Sequence, residues 1–254
     1  LAASKHIGRG NEKAADQAAV DAMRKCLNSL TISGTVVIGE GERDEAPMLY
    51  IGENVGAGGP KVDIALDPLE GTTITAKGGE NAMAVIALAQ EGGFLNAPDV
   101  YMKKISTNTN NEKVVSLDQD LKSNIKDLAK FKKINIEDLV ICILDRERHK
   151  DEIEIIRSTG ARIKMIDDGD VSAVISSVLI SSSIDMYYGI GGAPEGVLAA
   201  AALQCIGGNL EGQLLFSNED EIKRAQKIGI KDHNKIYQLN DLATGDIVFS
   251  ATGV

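Results

Sequence analysis

The chain has 254 residues, of which 43% are hydrophobic and 25% charged, and its formal net charge at pH 7 is −10. This length suffices for one large domain or two joined lobes. The acidic balance argues against a nucleic-acid-binding protein and against an anionic membrane surface. No apolar run long enough for a transmembrane helix and no secretory signal occur, so we expect neither. The chain opens at Leu1 rather than at Met, and we expect its ends to be shortened relative to the natural gene product.

The three cysteines, Cys26, Cys142 and Cys205, lie far apart and show no C-x-x-C spacing. This pattern predicts reduced thiols and a cytoplasmic protein. The three histidines show no paired spacing of the kind that zinc sites use, so we do not expect histidine-based metal chemistry.

Residues 12–30 carry apolar side chains at helical spacing and predict an amphipathic helix. Asp16 lies at the edge of the apolar stripe, where it is either an acid favoured by the helix dipole or a functional carboxylate. Residues 35–39 predict a short buried strand that ends directly at Glu40. Residues 40–47 predict a dense acidic turn that includes Gly41, and a helix start near Asp44 and Glu45 explains most of its charges.

The segment 62–73 is the most informative stretch of the chain. Residues 62–66 predict a buried strand, Asp67 stands at its end, and Pro68 is predicted to stop it because proline cannot donate to a strand ladder. Glu70 follows closely, and Gly71 and Thr72 add backbone N–H groups and a hydroxyl. Carboxylate oxygens suit hard divalent cations, and N–H and O–H donors suit a phosphate beside them. The alternative is a strand that ends in an ordinary Asp-Pro turn.

The next part of the chain predicts a buried strand at residues 82–89 and a turn at 96–104. Tyr101 on this turn is either a phosphate donor or part of an ordinary polar surface. Residues 106–111 are polar and are predicted to be structureless. We therefore predict an N-terminal metal-binding lobe over 1–110 and a C-terminal substrate-binding lobe over 111–254.

The second half alternates strand and helix, which predicts a layered α/β lobe. Strands are predicted at 139–144, 162–166, 185–189 and 247–250, and helices at 147–158, 171–179 and 194–205.

Polar groups follow three of these strands. The paired arginines Arg146 and Arg148 suit bidentate contacts with phosphate. The acidic segment 167–170 suits sugar hydroxyls, although Asp170 is equally explained as a helix cap. Residues 189–196 predict a glycine turn into a helix N-terminus, where Glu195 is either an acid favoured by the dipole or a metal ligand.

Four segments together resemble the class II bacterial fructose-1,6-bisphosphatases. These segments are Ile38-Gly39-Glu40-Gly41-Glu42, Asp67-Pro68-Leu69-Glu70-Gly71-Thr72, Asn96-Ala97-Pro98-Asp99 and Gly189-Ile190-Gly191-Gly192-Ala193-Pro194-Glu195-Gly196. The likeness covers residues 4–254. The Asp-Pro-x-Glu-Gly-Thr element by itself marks the wider superfamily of lithium-sensitive metal-dependent phosphatases, which includes the inositol monophosphatases. The glycine-rich segment that ends in Glu195 is more specific to class II.

The resemblance implies roles for particular side chains. The implied metal ligands are Asp16, Glu40, Asp67, Glu70 and Glu195. The implied catalytic residues are Thr72, Glu40 and Asp67. The implied substrate contacts are Glu70, Gly71, Thr72, Tyr101, Arg146, Glu147, Arg148, Asp168, Gly169, Asp170 and Gly192. The family commonly has Lys-Pro-Arg where this chain has Arg146-Glu147-Arg148.

The resemblance also implies a fold, a cofactor and a reaction. The implied fold is α/β, a five-layer α/β/α/β/α sandwich of the sugar-phosphatase and inositol-monophosphatase type. The implied cofactor is Mn²⁺ or Mg²⁺, and the implied assembly is a homodimer or homotetramer. The implied reaction is the gluconeogenic hydrolysis of the 1-phosphate of fructose 1,6-bisphosphate by water activated by metal.

Three alternatives remain at this level. Sedoheptulose 1,7-bisphosphate is a second candidate substrate, alone or beside the fructose ester. An inositol monophosphatase-like activity is less favoured, because the basic segment 146–148 anticipates a second phosphate. A sugar-phosphate sensor without catalysis would need phosphate donors but not the full set of carboxylates.

Overall fold

The computed structural model describes residues 1–40, 49–109 and 112–254. These residues divide into two compact units, of which the first comprises Leu1–Ala97 and Ala243–Val254 and the second Pro98–Leu242. None of the helices in the described ranges has both the length and the apolar composition that a membrane span requires. The predicted helix start near Asp44 and Glu45 lies outside the described residues.

The first unit is built on a five-stranded mixed sheet. Its helices and strands in the described residues are α1 (Glu12–Leu27), β1 (Ser33–Ile38), β2 (Asn54–Val55), β3 (Lys61–Glu70), α2 (Thr72–Lys77), β4 (Met83–Gln90) and, at the other end of the chain, β11 (Ile247–Gly253). The strand order is β11-β4-β3-β1-β2, with β3 parallel to β1 and antiparallel to β4. The central strand is therefore the one whose end carries Asp67 and Glu70.

The predicted first helix is confirmed as α1. Its N-terminus is capped by the side chain of Asn11, which accepts the backbone N–H of Ala14 at 3.0 Å. The helix ends at Leu27 rather than at residue 30, because the side chain of Asn28 turns to accept the N–H of Gly56 at 3.1 Å. Ala15 and Val20 lie on its buried face.

Strand β3 continues through Pro68 to Glu70, so the prediction that Pro68 stops the strand was wrong. The pairing with β1 ends at Ala65, and the ladder with β4 shifts register between Asp67 and Glu70. A bulge of this kind leaves a residue without a ladder partner, which suits a residue that lacks an N–H. The irregular backbone also sets the directions of the two carboxylates.

The second unit contains a six-stranded mixed sheet. Its described elements are β5 (Tyr101–Thr107), α3 (Leu121–Lys132), β6 (Val140–Leu144), α4 (Lys150–Thr159), β7 (Arg162–Ile166), α5 (Asp170–Val178), β8 (Met186–Gly192), α6 (Ala193–Ile206), β9 (Asn209–Leu215), α7 (Glu219–Lys227), β10 (Ile236–Gln238) and α8 (Leu239–Leu242). The strand order is β10-β9-β5-β8-β6-β7, with β5 antiparallel to β8 and β9 and with β6 parallel to β7 and β8.

The alternation predicted for the second half is confirmed from β6 to α6, with three differences. The segment predicted as the single helix 147–158 is a 3-10 turn, Glu147–His149, followed by α4. The predicted turn at 189–196 is instead a strand that runs to Gly192 and enters α6 directly. The segments predicted as a turn at 96–104 and as structureless at 106–111 contain β5, which includes Ser106 and Thr107.

The division into units differs from the predicted boundary at residues 110 and 111. Strand β5 pairs with β8 and β9 of the second sheet, and β11 pairs with β4 of the first. The polar composition of 106–111 suggested a linker, whereas the backbone pairing of β5 places its residues in the second unit.

Each unit has its own apolar core. In the first, Val20, Val36, Ile64 and Leu66 pack together beneath the sheet. In the second, α3 and α4 cover β6, with Ile125, Leu128, Ile141 and Ile156 fully buried. These cores hold the strand ends that carry the polar residues.

Candidate functional site

In the first unit, the predicted carboxylates Asp67 and Glu70 lie at the bulged end of β3. One oxygen of Asp67, Oδ1, accepts the backbone N–H of Leu69 at 2.9 Å, which fixes the rotamer of the aspartate. Glu70 is only 4% exposed, although an ionised carboxylate in such a place requires hydrogen bonds or a cation to offset its desolvation. Glu70 is buried and Asp67 half-buried, and both side chains have the chemistry of ligands for a hard cation.

Gly71 connects this strand end directly to α2. Its φ of +89° lies in the left-handed region, which glycine adopts without steric cost. Its carbonyl oxygen accepts the backbone N–H of Thr75 at 2.9 Å and the Thr75 hydroxyl at 3.1 Å. Thr72, the first residue of α2, is partly exposed. Asp67, Glu70, Gly71 and Thr72 thus follow one another at the junction of β3 and α2, and their joint role as metal and phosphate ligands stays a prediction.

Asp16 and Glu40 lie on other elements of the same unit. Ala15, next to Asp16 on α1, belongs to the same apolar cluster as Leu69 of β3, so α1 packs against the end of the central strand. Burial raises the pKa of the Asp16 carboxyl. Glu40 follows β1, and its N–H donates to the carbonyl of Leu49 at 2.9 Å. The remaining residues of its motif, 41 and 42, lie outside the described residues.

In the second unit, the structure reveals a buried lysine that the sequence analysis assigned to an exposed turn. Lys104 on β5 is fully buried and forms an ion pair with the carboxylate of Asp170. Its ammonium also donates to the carbonyl oxygen of Gly192 at 2.9 Å. Asp170 begins α5 without a side-chain capping bond, so the capping interpretation of this aspartate is replaced by the ion pair.

Glu195 lies in the first turn of α6, close to this ion pair. Its Oε2 atom is buried and has no hydrogen-bond partner among the described residues. Burial raises the pKa of Glu195, and the negative charge of Asp170 raises it further, whereas the charge of Lys104 opposes both. An oxygen that is buried and has no donor is the strongest sign in this unit of a position that a cation or a protonated group completes.

Two glycines make room for these charged groups. A Cβ on Gly192 would stand 1.9 Å from Glu195 Oε2, and a Cβ on Gly191 would stand 2.1 Å from Asp170 Oδ2. Neither glycine is needed for a positive φ, since neither is among the positive-φ glycines. Both are therefore required by the space that the carboxylates occupy.

The basic segment and the tyrosine come together beside β8. Arg148 donates from Nε and Nη2 to the carbonyl oxygen of Ile190 at 3.0 and 2.8 Å. Its guanidinium carbon lies 4.8 Å from the ring centroid of Tyr101. Tyr101 is the residue paired with Gly192 in the β5–β8 ladder. Arg146 and Glu147 are exposed. The structure thus brings Arg148, Tyr101 and Gly192 into one neighbourhood, whereas the predicted contact of Arg146, Arg148 and Tyr101 with a second phosphate stays a prediction.

The segment after β7 supplies a further predicted contact. The Oδ1 atom of Asp168 accepts the N–H of Gly169 at 3.0 Å, and Gly169 has a φ of +85° at the start of α5. Asp168 is partly exposed, whereas Asp170 is buried and forms the ion pair with Lys104.

The described residues fit a hard divalent ion by chemistry but do not form a closed cage. Among residues 1–40, 49–109 and 112–254, no three His, Cys, Asp or Glu side chains are arranged so that they could hold a metal ion. The predicted ligands are nevertheless all carboxylates, the donors that Mg²⁺ and Mn²⁺ prefer, and Glu195 Oε2 is buried without a partner. This donor chemistry fits the implied metal.

A comparison with known families gives a match over the whole chain. The family model described as "Bacterial fructose-1,6-bisphosphatase, glpX-encoded" matches residues 1–254. The chain is also similar to individual curated proteins, each named D-fructose 1,6-bisphosphatase class 2/sedoheptulose 1,7-bisphosphatase.

Three of these relatives match the chain over its whole length. The protein of Trichodesmium erythraeum is 41% identical over 280 residues, covering 100% of this chain and 81% of the relative. The protein of Synechocystis sp. has the same identity and coverage, 41%, 100% and 81%. The protein of Synechococcus sp. (strain RCC307) is 44% identical over 269 residues, covering 100% of this chain and 80% of the relative.

Proposed function

Since the chain belongs to the family of glpX-encoded bacterial fructose-1,6-bisphosphatases, we propose that it hydrolyses the 1-phosphate of fructose 1,6-bisphosphate. The products are fructose 6-phosphate and inorganic phosphate. The observation that carries this proposal within the structure is the bulged end of β3, where Asp67, Glu70, Gly71 and Thr72 form one segment beside α1.

The residues proposed to hold divalent ions are the five carboxylates that the family resemblance indicates. In the first unit these are Asp16, Glu40, Asp67 and Glu70, and in the second Glu195. A bound Mn²⁺ or Mg²⁺ supplies Lewis-acid polarisation of the phosphoryl group and acidifies a water molecule. The burial of Glu70 and the partnerless Oε2 of Glu195 support this assignment.

The reacting phosphate is proposed to lie against the start of α2. The N–H groups of Gly71 and Thr72 are the donors for its oxygens, and the Thr72 hydroxyl orients the attacking water and takes part in its proton transfer. Glu40 is proposed to accept a hydrogen bond from that hydroxyl. Asp67 is held in one rotamer by the N–H of Leu69, which limits how far its carboxylate can move during the reaction.

The distal phosphate and the sugar are proposed to bind in the second unit. Arg148 and Tyr101 form the phosphate contact, together with the exposed Arg146 and Glu147. The sugar hydroxyls are assigned to Asp168, Gly169, Asp170 and Gly192. Two basic side chains in one segment favour a bisphosphate over a monoester such as inositol phosphate.

Sedoheptulose 1,7-bisphosphate is proposed as a second substrate, because the relatives' names include that activity. The chemistry at the 1-phosphate is the same, and only the length of the sugar differs. We expect both esters to compete for one site.

Three further properties are proposed, two from the same resemblance and one from the cysteines. The two sheets and their helices are proposed to form the five-layer α/β/α/β/α sandwich that is typical of the lithium-sensitive phosphatase superfamily. The assembly is proposed to be a homodimer or homotetramer. The protein is proposed to be located in the cytoplasm, in agreement with three cysteines that form no disulfide. Light scattering on the purified chain tests the assembly.

The experiment that tests the function is inorganic phosphate release from fructose 1,6-bisphosphate with Mn²⁺, with Mg²⁺ and with chelator. Sedoheptulose 1,7-bisphosphate and inositol 1-phosphate serve as the comparison substrates. We expect turnover of both bisphosphates that depends on the metal and far exceeds that of inositol phosphate. Binding of the sugar bisphosphate without turnover in any metal would instead identify a sugar-phosphate sensor.

A further inference from the structure

His149 is a fully buried histidine that the proposed reaction does not use. It closes the 3-10 turn Glu147–His149 and directly follows Arg148 in the chain. No pattern in the sequence indicated a role for it, because the three histidines lack the spacing of metal ligands.

Both ring nitrogens of His149 are hydrogen-bonded to backbone groups of different strands. Nδ1 lies 2.9 Å from the carbonyl oxygen of Leu144, the last residue of β6. Nε2 lies 2.8 Å from the backbone nitrogen of Ile190 on β8. An amide N–H can only donate, so Nε2 is the acceptor and the proton is on Nδ1, from which it is donated to Leu144. The geometry therefore selects the neutral ring and one tautomer.

The imidazole lies where the backbone pairing of these strands has stopped. The described pairs of β6 and β8 are Ile141 with Met186 and Cys142 with Tyr187. Leu144 and Ile190 lie beyond these pairs, towards the carboxyl ends of both strands. His149 thus connects the carboxyl-terminal ends of β6 and β8, in place of ladder hydrogen bonds.

Ile190 is also the residue that Arg148 contacts. Its N–H is bound by His149, and its carbonyl oxygen accepts two hydrogen bonds from the Arg148 guanidinium. The same guanidinium lies over the ring of Tyr101. The buried His149 therefore binds the N–H of Ile190, and the exposed Arg148 binds the carbonyl oxygen of the same residue.

We propose that His149 is a positioning residue for the phosphate-binding arginine: by fixing Ile190 against the end of β6, it keeps the carbonyl that orients the Arg148 guanidinium over Tyr101. This inference rests on the proposed function, in which Arg148 contacts the distal phosphate. His149 acts through Arg148 and does not touch substrate, so its loss weakens substrate binding rather than the chemical step.

The charged groups around the ring favour its neutral form. The pKa of His149 is lowered, first by burial and then by the charges of Arg148 and Arg146, against the bond to Leu144 and the charge of Glu152. The hydroxyl of Tyr187 and the ring of His149 both border Gly189 of β8, where they would stand 3.2 and 3.5 Å from an added Cβ. A proton on Nε2 would leave the Ile190 N–H facing another donor.

The first test observes the ring in the unmodified protein. In nitrogen-15-labelled protein at pH 7.5, long-range proton–nitrogen correlation spectra report the tautomer of each histidine. We expect one neutral histidine protonated at Nδ1, assigned to His149 because its signals persist in both His6→Phe and His233→Phe. An imidazolium, or a ring protonated at Nε2, would overturn the inference.

The second test separates positioning from general stability with a double-mutant cycle. His149→Phe keeps the ring volume and removes both hydrogen bonds, and we expect KM for fructose 1,6-bisphosphate to rise about tenfold with kcat changed less than about twofold. In the Arg148→Ala background the same replacement should leave KM unchanged, because the group it positions is gone. His233→Phe, which replaces a histidine packed on Phe216 in the same unit, is the matched control and should keep both parameters.

The outcomes distinguish this inference from the proposed function. If the wild-type protein does not hydrolyse either bisphosphate, the proposed function fails while the tautomer measurement still stands. If it does and a folded His149→Phe has a wild-type KM, or if the effects of His149→Phe and Arg148→Ala multiply, the positioning role is excluded. If His149→Phe does not fold, His149→Leu replaces it with the same expected rise in KM, because leucine also removes both hydrogen bonds.

If neither variant folds, the wild-type and Arg148→Ala enzymes decide the question by pH. The ratio of their KM values cancels the titration of the substrate and should approach one where the spectra show His149 becoming protonated. A ratio that is constant through this protonation would contradict the inference.

Discussion

The two strand-to-helix junctions that carry the candidate site use glycine for different physical reasons. At the β3–α2 junction, Gly71 has a φ of +89°, so its backbone conformation requires glycine. At the β8–α6 junction, Gly192 has an ordinary φ of −64°, and a Cβ there would meet the Glu195 carboxylate. At the first junction glycine allows the backbone turn that follows the acids Asp67 and Glu70, and at the second it leaves space for the carboxylate of Glu195.

The junctions also differ in how they accommodate buried negative charge. At the second, the buried Lys104 neutralises Asp170 and lies close enough to oppose the rise in the pKa of Glu195. At the first, the carboxylates come before the helix on a bulged strand, and we propose divalent ions as their counter-charge. The comparison predicts that changes at the first junction affect turnover, whereas changes at the second affect stability or substrate binding and, where they displace Glu195, the proposed metal site.

The largest expected effect is at Asp67. Asp67→Asn keeps an oxygen for the N–H of Leu69 but removes the negative charge, so we expect kcat to fall about 100-fold or more with little change in melting temperature. Asp63→Asn is the matched control on the same strand. Asp63 is buried and accepts the N–H of Gly92 at 2.7 Å, away from the junction. A normal kcat in Asp67→Asn would remove Asp67 from the metal site.

The next effect is on stability, at Lys104. Lys104→Met leaves the carboxylate of Asp170 buried without its cation, and we expect a loss of about 3–5 kcal/mol in the free energy of unfolding. Adding Asp170→Asn should recover part of this loss, because the uncompensated charge disappears. Lys103→Met is the control, since Lys103 is partly exposed and lies over the ring of Tyr188 at 5.3 Å. Denaturant unfolding measures the free energy of unfolding of all three variants. A wild-type value for Lys104→Met would refute the buried ion pair.

A smaller effect is expected at Gly192, and it should appear in activity rather than in stability. The atom that an added Cβ would meet is the far end of the flexible Glu195 side chain, which can move aside at little cost. Gly192→Ala should therefore keep its melting temperature while catalytic efficiency falls about tenfold as the carboxylate is displaced. Gly253→Ala, where an added Cβ meets nothing within 4 Å, should be neutral in both measurements. Equal catalytic efficiencies of Gly192→Ala and the wild-type protein would show that the position of the Glu195 carboxylate does not affect catalysis.

The smallest effect is the dependence of stability on pH. The pKa of His149 is lowered from its ordinary value of 6.5, so below pH 6.5 the unfolded chain binds the proton more readily than the folded protein. The free energy of unfolding should therefore decrease as the pH falls from 6.5 towards 5, by at most about 1.4 kcal/mol per pH unit for this group. The free energy of unfolding of His149→Gln should change less with pH over this range. An identical slope would show that His149 does not titrate differently in the folded state.

The parts of the fold that follow from local patterns could be predicted from the sequence. The periodicity of residues 12–30, 82–89 and 162–166 identified α1, β4 and β7, and the motifs identified the two junctions. Pro68 misled the prediction because a strand can bulge around a proline where one neighbouring strand has ended. That information lies in the pairing of β3 with β1 and β4, not in the sequence of β3.

The groups that the sequence analysis missed depend on long-range packing. Lys103 and Lys104 are adjacent lysines, and only the pairing of β5 between β8 and β9 decides that Lys104 is the buried one. His149 is likewise defined by Leu144 and Ile190, which come from different strands. A polar residue in an apolar strand such as Met102-Lys103-Lys104-Ile105 was the available signal for the lysine, whereas no local signal marked the histidine.

The most direct test of the account compares Thr72→Ala with Arg148→Ala in one assay of fructose 1,6-bisphosphate hydrolysis. Thr72 is assigned to the reacting water at the first junction, so Thr72→Ala should lose about 100-fold or more in kcat while KM stays within a few-fold. Arg148 is assigned to the distal phosphate, so Arg148→Ala should raise KM about tenfold or more and leave kcat within about twofold. A pure kcat loss in Arg148→Ala, or a normal kcat in Thr72→Ala, would contradict the division of chemistry and binding between the two junctions.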